Sequence, residues 1–271
     1  MTLSIITINY NNRDGLQRTI DSVICQTWKD YEWIVIDGGS MDGSKELIEQ
    51  YQEHFAYWCS EPDKGVYNAM NKGVAHAHGE YVIFMNSGDA FYDENILQKV
   101  FCESFSEDII IGQVVSFHNN KLLYQFDGSL LMQLYYTTIP HQASFIRREL
   151  LNKHPYDDSL KIVSDWKFWW QTIVYENSTV RFLHFVVALY DLNGISCDES
   201  YSVLHSKERE MVLNSFVPPL IQNELQDCRT LQNEPFVKNL CYLRQNNKHI
   251  YLFLRKAISL LYKICLRINQ K

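Results

Sequence analysis

Three stretches place polar side chains directly after apolar, β-branched runs. Tyr81–Met85 leads into Asn86, Ser87, Gly88 and Asp89. YEWIVID (31–37) ends on Asp37, before Gly38 and Gly39. LSIITI (3–8), which contains Thr7, leads into Asn9, Tyr10 and Asn11. In a parallel sheet such strand ends share one edge, and that edge is where α/β proteins hold ligands. A single Asp in a turn is ordinary turn chemistry; three tips converging on one crevice are a site. A further segment, SEPDKGVYNAMNKGVAHAHGEYV (60–82), sets Asp63 and Lys64 before Gly65 and then spaces Asn68, Asn71 and Lys72 along one helical face. Lys64, Lys72 and the helix N-terminus near Val66 suit a phosphate-like anion; a solvated helix face is the plain alternative. KIVSDWKFWW puts Asp165 at a helix start among Trp166, Trp169 and Trp170. PHQASFIRRE puts His141 and Gln142 just before a strand, and LNGIS (192–196) reads as a turn or a loop that closes over a ligand.

The elements that must position these groups follow from periodicity. Strands are expected at 3–8, 31–37, 56–60, 81–85 and 108–115, and helices at 15–26, 44–53, 66–77 and 95–105. Continuous apolar strands alternating with helices imply an α/β domain with a mostly parallel sheet covered on both faces. Further strands are expected at 121–126, 143–147 and 180–190, with helices at 165–176 and 203–216. VPP (217–219) breaks the chain, so the expected division is 1–216 and a helical extension, 217–271.

Composition narrows the function classes. The chain has 271 residues, 46% of them apolar, enough for a sizeable core. No run approaches the roughly 18 apolar residues of a membrane span, and MTLSIITINYNN reads as a first strand, not a signal peptide. The seven cysteines form no C-x-x-C pair. A zinc site or a disulfide framework is therefore not expected, and a cytoplasmic setting is. Neither G-x-G-x-x-G after the first strand nor a P-loop occurs, which removes dinucleotide hydride transfer and Walker-type hydrolysis. Net charge is −7 but segregated: 32 acids face 17 bases before residue 235, and eight bases with no acid follow it. An acidic body is not a nucleic-acid binder.

SIITINYNN, QTWKDYEWIVIDGGSMDGS, SEPDKGVYNAMNKGVAHAHGEYVIFMNSGD and SDW, in this order over residues 1–200, resemble the family 2 glycosyltransferases of GT-A fold. The resemblance implies a nucleotide-sugar donor, UDP-linked, at the sheet edge, with Thr7, Asn9 and Tyr10 lining the nucleotide pocket and Asp37 reading the base. It implies a divalent metal, Mg²⁺ or Mn²⁺, on Asp89, with Asn86, Ser87 and Gly88 letting the backbone approach the donor. The family's D-x-D-type strand end is here NSGD, with one carboxylate, and its usual DDGS is DGGS. An acid matching Asp165 serves as base in inverting transfer, with His141, Gln142 and Trp166 on the acceptor side. No Q-x-x-R-W follows Asp165, so one sugar per event is expected, onto a glycan or lipid-linked acceptor in cell-surface polysaccharide synthesis. A nucleotide-sugar-binding scaffold with weak turnover is the alternative. A nucleotidyltransferase fits less well, because NYNNRDG lacks a glycine-rich basic loop.

In 247–271, Arg255, Ser259, Lys263 and Arg267 form a polar stripe, while Leu254, Ile258, Leu261, Ile264, Cys265 and Ile268 fill the remainder. Such a basic amphipathic helix suits an anionic membrane surface, so peripheral contact with the inner face of the cell membrane through 236–271 is expected. A second protomer of a homo-oligomer, or the catalytic domain itself, is the alternative cover.

Overall fold

The computed structural model describes residues 1–126, 128–192, 194 and 199–269, in two compact units, Met1–Phe216 and Val217–Lys271. The first unit runs β1 (Leu3–Asn9), α1 (Arg13–Ile24), β2 (Tyr31–Asp37), α2 (Ser44–Gln50), β3 (Tyr57–Ser60), α3 (Val66–Ala75), β4 (Tyr81–Phe84), β5 (Ala90–Phe91), α4 (Ile96–Val100), β6 (Ile109–Ser116) and β7 (Leu122–Tyr124). It continues with α5 (Leu130–Tyr136), β8 (Ser144–Arg147), α6 (Arg148–Lys153), α7 (Ser164–Trp169), β9 (Val180–Tyr190) and α8 (Ser202–Phe216).

All seven residues of β1 are buried, as its continuous apolar run requires of a central strand. β2 and β4 flank it in parallel and β3 lies outside β2. The sheet order is β3-β2-β1-β4-β8-β6-β9-β5, with β7 on β6. The expected parallel sheet is therefore the β3–β4 half. Beyond it β8 runs antiparallel to both β4 and β6, while β9 lies parallel to β6. Helices flank the sheet closely: a Cβ on Gly73 of α3 would meet Ile6 of β1 at 2.4 Å. Asn12 starts α1 by accepting the Gly15 N–H at 3.2 Å.

Some boundaries differ from expectation. The helix expected at 95–105 ends at Val100. The following CESFSE is poor in helix formers, and the Ser106 N–H goes to the Glu107 carboxylate at 3.1 Å. The helix expected at 165–176 is α7 followed by a wider π-helical stretch, Trp170–Tyr175. Short α5 and α6 escaped the periodicity argument.

The second unit consists of α9 (Pro219–Asn233), α10 (Pro235–Asn246) and α11 (Lys248–Asn269). Its first two helices open with proline in the first turn, where the missing N–H costs nothing. No helix among the described residues is long and apolar enough to cross a membrane. The side chains of Ile264, Cys265, Arg267 and Ile268 lie outside the described residues, as do Asn193, Ile195 and Ser196 of the 192–196 loop.

Candidate active site

The register aligns Asn9 with Asp37 at the ends of β1 and β2. Asp37 is fully buried. Its Oδ1 accepts from Asn9 Nδ2 (2.8 Å) and Ser40 Oγ (2.5 Å), and its Oδ2 from Ser40 N–H (2.9 Å) and Ser60 Oγ (2.6 Å). Burial pushes its pKa up, but the hydrogen bonds from Ser40, Ser60 and Asn9 outweigh this and hold it below the usual range. Four donors saturate a carboxylate. Asp37 thus clamps three strand ends together. Thr7 is fully buried and accepts from the Trp33 indole at 3.0 Å. Tyr10 is exposed, and Gly38 sits between Tyr10 and Asp63, whose carboxylate would lie 2.7 Å from a Cβ there. Asn9 keeps a buried Oδ1 without a partner.

The 61–72 segment is dispersed, not convergent. The Lys72 ammonium pairs with Glu61 at 2.8 Å. Asn68 donates to Asp158 at 3.0 Å. Asn71 exchanges two bonds with the Tyr156 backbone, at 2.7 and 2.9 Å, and so ties α3 to the 156 loop. Asp63 accepts the Gly65 N–H at 2.8 Å. Lys64 lies exposed just before α3, with its own N–H on Asn68 Oδ1 at 3.3 Å.

At the β4 tip, Thr19 of α1 secures the turn. Its hydroxyl lies 2.7 Å from the Asp89 carbonyl and 3.0 Å from the Gly88 N–H. Asp89 is 4% exposed, and its Oδ1 accepts the Asp191 N–H at 2.9 Å. Burial is the main reason its pKa is pushed up to about 7. Asp191, just past β9, is a second buried carboxylate, held by Arg18 and lying 3.5 Å from His118 Nε2. Gly88 has φ +107°, and a Cβ there would meet Asp191 Oδ2 at 3.0 Å, so glycine serves both turn and approach. Asn86 Oδ1 is buried and unpartnered. Asp89, Asp191 and Asn86 are the groups that could hold a hard cation. Among the described residues no cluster of three or more His, Cys, Asp or Glu forms a metal cage, so other ligands would have to come from a bound molecule.

Asp165 is 8% exposed at the start of α7. Its Oδ1 accepts the Trp166 N–H at 2.8 Å and lies 3.0 Å from the Tyr67 hydroxyl, which also contacts the Ile162 carbonyl at 2.6 Å. Burial, with Asp165 nearby, holds the Tyr67 phenol well above its ordinary pKa, so it stays neutral. His141 Nδ1 is 3.4 Å from Asp165 Oδ2, and its Nε2 is 3.0 Å from Asn86 Nδ2. A neutral imidazole protonated on Nδ1 satisfies both contacts. His141 thus links the β4 tip to Asp165. Gln142 is 3% exposed and Trp166 1% exposed. Trp166 donates its indole N–H to Leu134 O at 2.7 Å and packs edge-on against Trp170.

The sequence matches the model of glycosyl transferase family 2 over residues 4–156, more than half its length. The chain belongs to this family. An uncharacterized glycosyltransferase of Mycobacterium tuberculosis is 34% identical over 220 residues, covering 78% of this chain and 82% of its own. The family 2 chain also shares its fold with solved GT-A glycosyltransferases. Staphylococcus aureus TarS residues 1–349, in complex with UDP-GlcNAc, superpose with TM-score 0.60 and 18% identity over 70% of this chain and 58% of that one. The mannosyltransferase PcManGT of Pyrobaculum calidifontis, with GDP-Man and Mn²⁺, gives TM-score 0.61 and 16% identity over 96% and 81%. For this family 2 member, sequence reasoning missed Asp191, although it carries the same signal as Asp37 and Asp89: an acid closing an apolar strand.

Proposed function

We propose that this family 2 glycosyltransferase moves one sugar from a nucleotide-sugar, UDP-linked, to a hydroxyl of a glycan or lipid-linked acceptor, with inversion at the anomeric carbon. The observation that carries the reading is the side-chain chain Asn86–His141–Asp165, which joins the β4 tip, where the Asp89 backbone N–H bonds the Asn86 carbonyl, to the buried carboxylate at the start of α7. The resemblance and the donors bound to TarS and PcManGT support the donor class.

In this reading the acceptor hydroxyl gives its proton to Asp165 as its oxygen bonds to the anomeric carbon. The bond from that carbon to the diphosphate oxygen breaks, and the nucleoside diphosphate leaves with the bonding pair. His141 and the Trp166 N–H hold the carboxylate, and the neutral Tyr67 oxygen can accept from Asp165 once it is protonated. Asp89, with Asn86 Oδ1 and Asp191, would hold Mg²⁺ or Mn²⁺; the buried, desolvated carboxylate and the orphan amide oxygen fit a hard cation that keeps phosphate and water ligands. When bound, that ion neutralises charge on the departing diphosphate.

Calorimetry with UDP-, GDP- and dTDP-sugars, with and without Mn²⁺, tests the reading. Metal-dependent binding of one donor is expected, and product of inverted configuration. Folded protein that binds no donor would move the assignment to the scaffold role, and a retained configuration would remove Asp165 as the base of a single displacement.

The second unit is proposed as the membrane contact. α10 and α11 line a groove with Arg244, Lys248, Tyr251, Leu252 and Arg255. Phe253 and Leu260, one heptad apart, are 71% and 61% exposed beside Lys256 and Lys263. Cations flanking exposed apolar side chains suit an anionic lipid surface. The protein should sediment with phosphatidylcholine vesicles containing phosphatidylglycerol and not with phosphatidylcholine alone. At about 1 kcal/mol per basic residue, Arg244→Glu with Arg255→Glu should weaken this at least ~30-fold. Equal recovery with both vesicles, or none, would overturn membrane docking; concentration-dependent dimerisation by light scattering would then assign the face to a second copy.

A further inference from the structure

Arg209 of α8 lies against the residue that follows the proposed base. Its guanidinium carbon is 3.9 Å from the Trp166 ring centroid, and one terminal nitrogen donates to Tyr135 O at 2.8 Å. Among the described residues it makes no ion pair. Its neighbour in sequence, Glu208, is not its counterion: both Glu208 oxygens accept backbone N–H groups, from Lys161 at 2.9 Å and Ile162 at 3.0 Å. Asp165 is close enough to raise the Arg209 pKa, yet burial wins and lowers it. His205, one turn earlier on α8, is lowered too, first by burial and then by Arg209. The guanidinium is thus partly buried, stacked on one face and bonded through one nitrogen to a carbonyl, with Asp165 the described anion that acts on it. A stacked guanidinium with free N–H donors is the usual receiver of a phosphate or carboxylate.

We infer that Arg209, with His205 beside it, forms an oxyanion subsite on the acceptor side, so that the acceptor carries a phosphate or carboxylate group near the hydroxyl that is glycosylated. The inference rests on the transferase reading in one respect, that Asp165 marks the acceptor hydroxyl. The bond to Tyr135 O also caps the last turn of α5, and a purely structural role for Arg209 is the competing account.

The test is a titration of the donor-loaded protein, with UDP and Mg²⁺ filling the donor crevice. The reporter is the Trp166 indole N–H resonance, identified as the one that Trp166→Phe removes. The probes are glycerol 1-phosphate, glycerate and glycerol. A saturable shift with either anion and none with glycerol is expected, and which anion acts names the acceptor's group. Arg209→Gln should weaken the anion at least about tenfold, the loss of a charge-assisted bond, while Arg209→Lys retains part of it. His205→Ala should weaken it less. UDP binding should be equal in all of them. No shift with either anion, or a shift indifferent to Arg209→Gln in folded protein, overturns the subsite. Failure of UDP to bind speaks against the transferase reading instead, and the anion titration still scores the subsite on its own.

Discussion

Asp165→Asn is expected to slow sugar transfer by on the order of 10²–10⁴-fold while donor affinity stays within about twofold, since uniform donor binding makes no use of the base. The amide has the shape of the carboxylate, so the contacts of Oδ1 with Tyr67 and the Trp166 N–H can persist. What disappears is the site that takes the acceptor proton. His141 adds a check. An amide nitrogen in place of Oδ2 would present a donor to His141 Nδ1, so the imidazole would have to carry its proton on Nε2 and the Asn86 amide would have to turn its Oδ1 toward it. A modest loss of thermal stability should therefore accompany the large loss of rate. Unchanged turnover in Asp165→Asn would remove the general base from the mechanism.

Asp89→Asn is expected to separate stability from function. The carboxylate is 4% exposed and its pKa is pushed up to about 7 from 3.8. Between those values the folded protein binds a proton that the unfolded chain has released. Stability is therefore greatest at and below the ordinary carboxylate range and falls as pH rises toward 7. A shift of roughly three pH units corresponds to about 4 kcal/mol at most. The neutral amide of the variant carries no such penalty. Metal-free Asp89→Asn should match the wild type near pH 4 and exceed it by up to a few kcal/mol at pH 8, as read by denaturant unfolding at each pH. Metal-dependent donor binding should be lost in the same variant. A cation on Asp89 would favour the charged form, so Mg²⁺ or Mn²⁺ should flatten the wild-type pH slope and leave the variant unaffected. A wild-type slope absent without metal would show that the carboxylate is not desolvated as its surroundings dictate.

What was legible in the sequence divides along physical lines. The central strands were legible because burial on both faces demands unbroken apolar runs, and β1, β2, β4 and β6 are such runs. The C-terminal tips of β1, β2 and β4 lie together on one edge, as parallel pairing requires. Which partners the tip side chains take was not legible, because period-two alternation and hydrogen bonds between distant segments decide it. Thr7 turns toward Trp33, and Asp37 is saturated by Asn9 at the end of β1, Ser40 in the following loop and Ser60 at the end of β3. Lys72 illustrates a different limit: its helical spacing was read correctly, yet Glu61, eleven residues away, holds the charge. The site around Asp165 depends on contacts such as Tyr67 and Arg209, brought in from α3 and α8, that no local pattern could reveal.

The bond from the Asp191 N–H to Asp89 spans 102 residues. Asp89 is set by β5, and β5 pairs only with the far end of β9, Ala90 opposite Leu189. During synthesis, every polar tip of the β3–β4 half and Asp165 itself leave the ribosome before the strand that orients Asp89. Loop closure of that length is slow relative to pairing among near neighbours. The nascent protein therefore completes the β3–β4 half first, and a chain that stops before β9 lacks both the strand that pairs β5 and the N–H that holds Asp89.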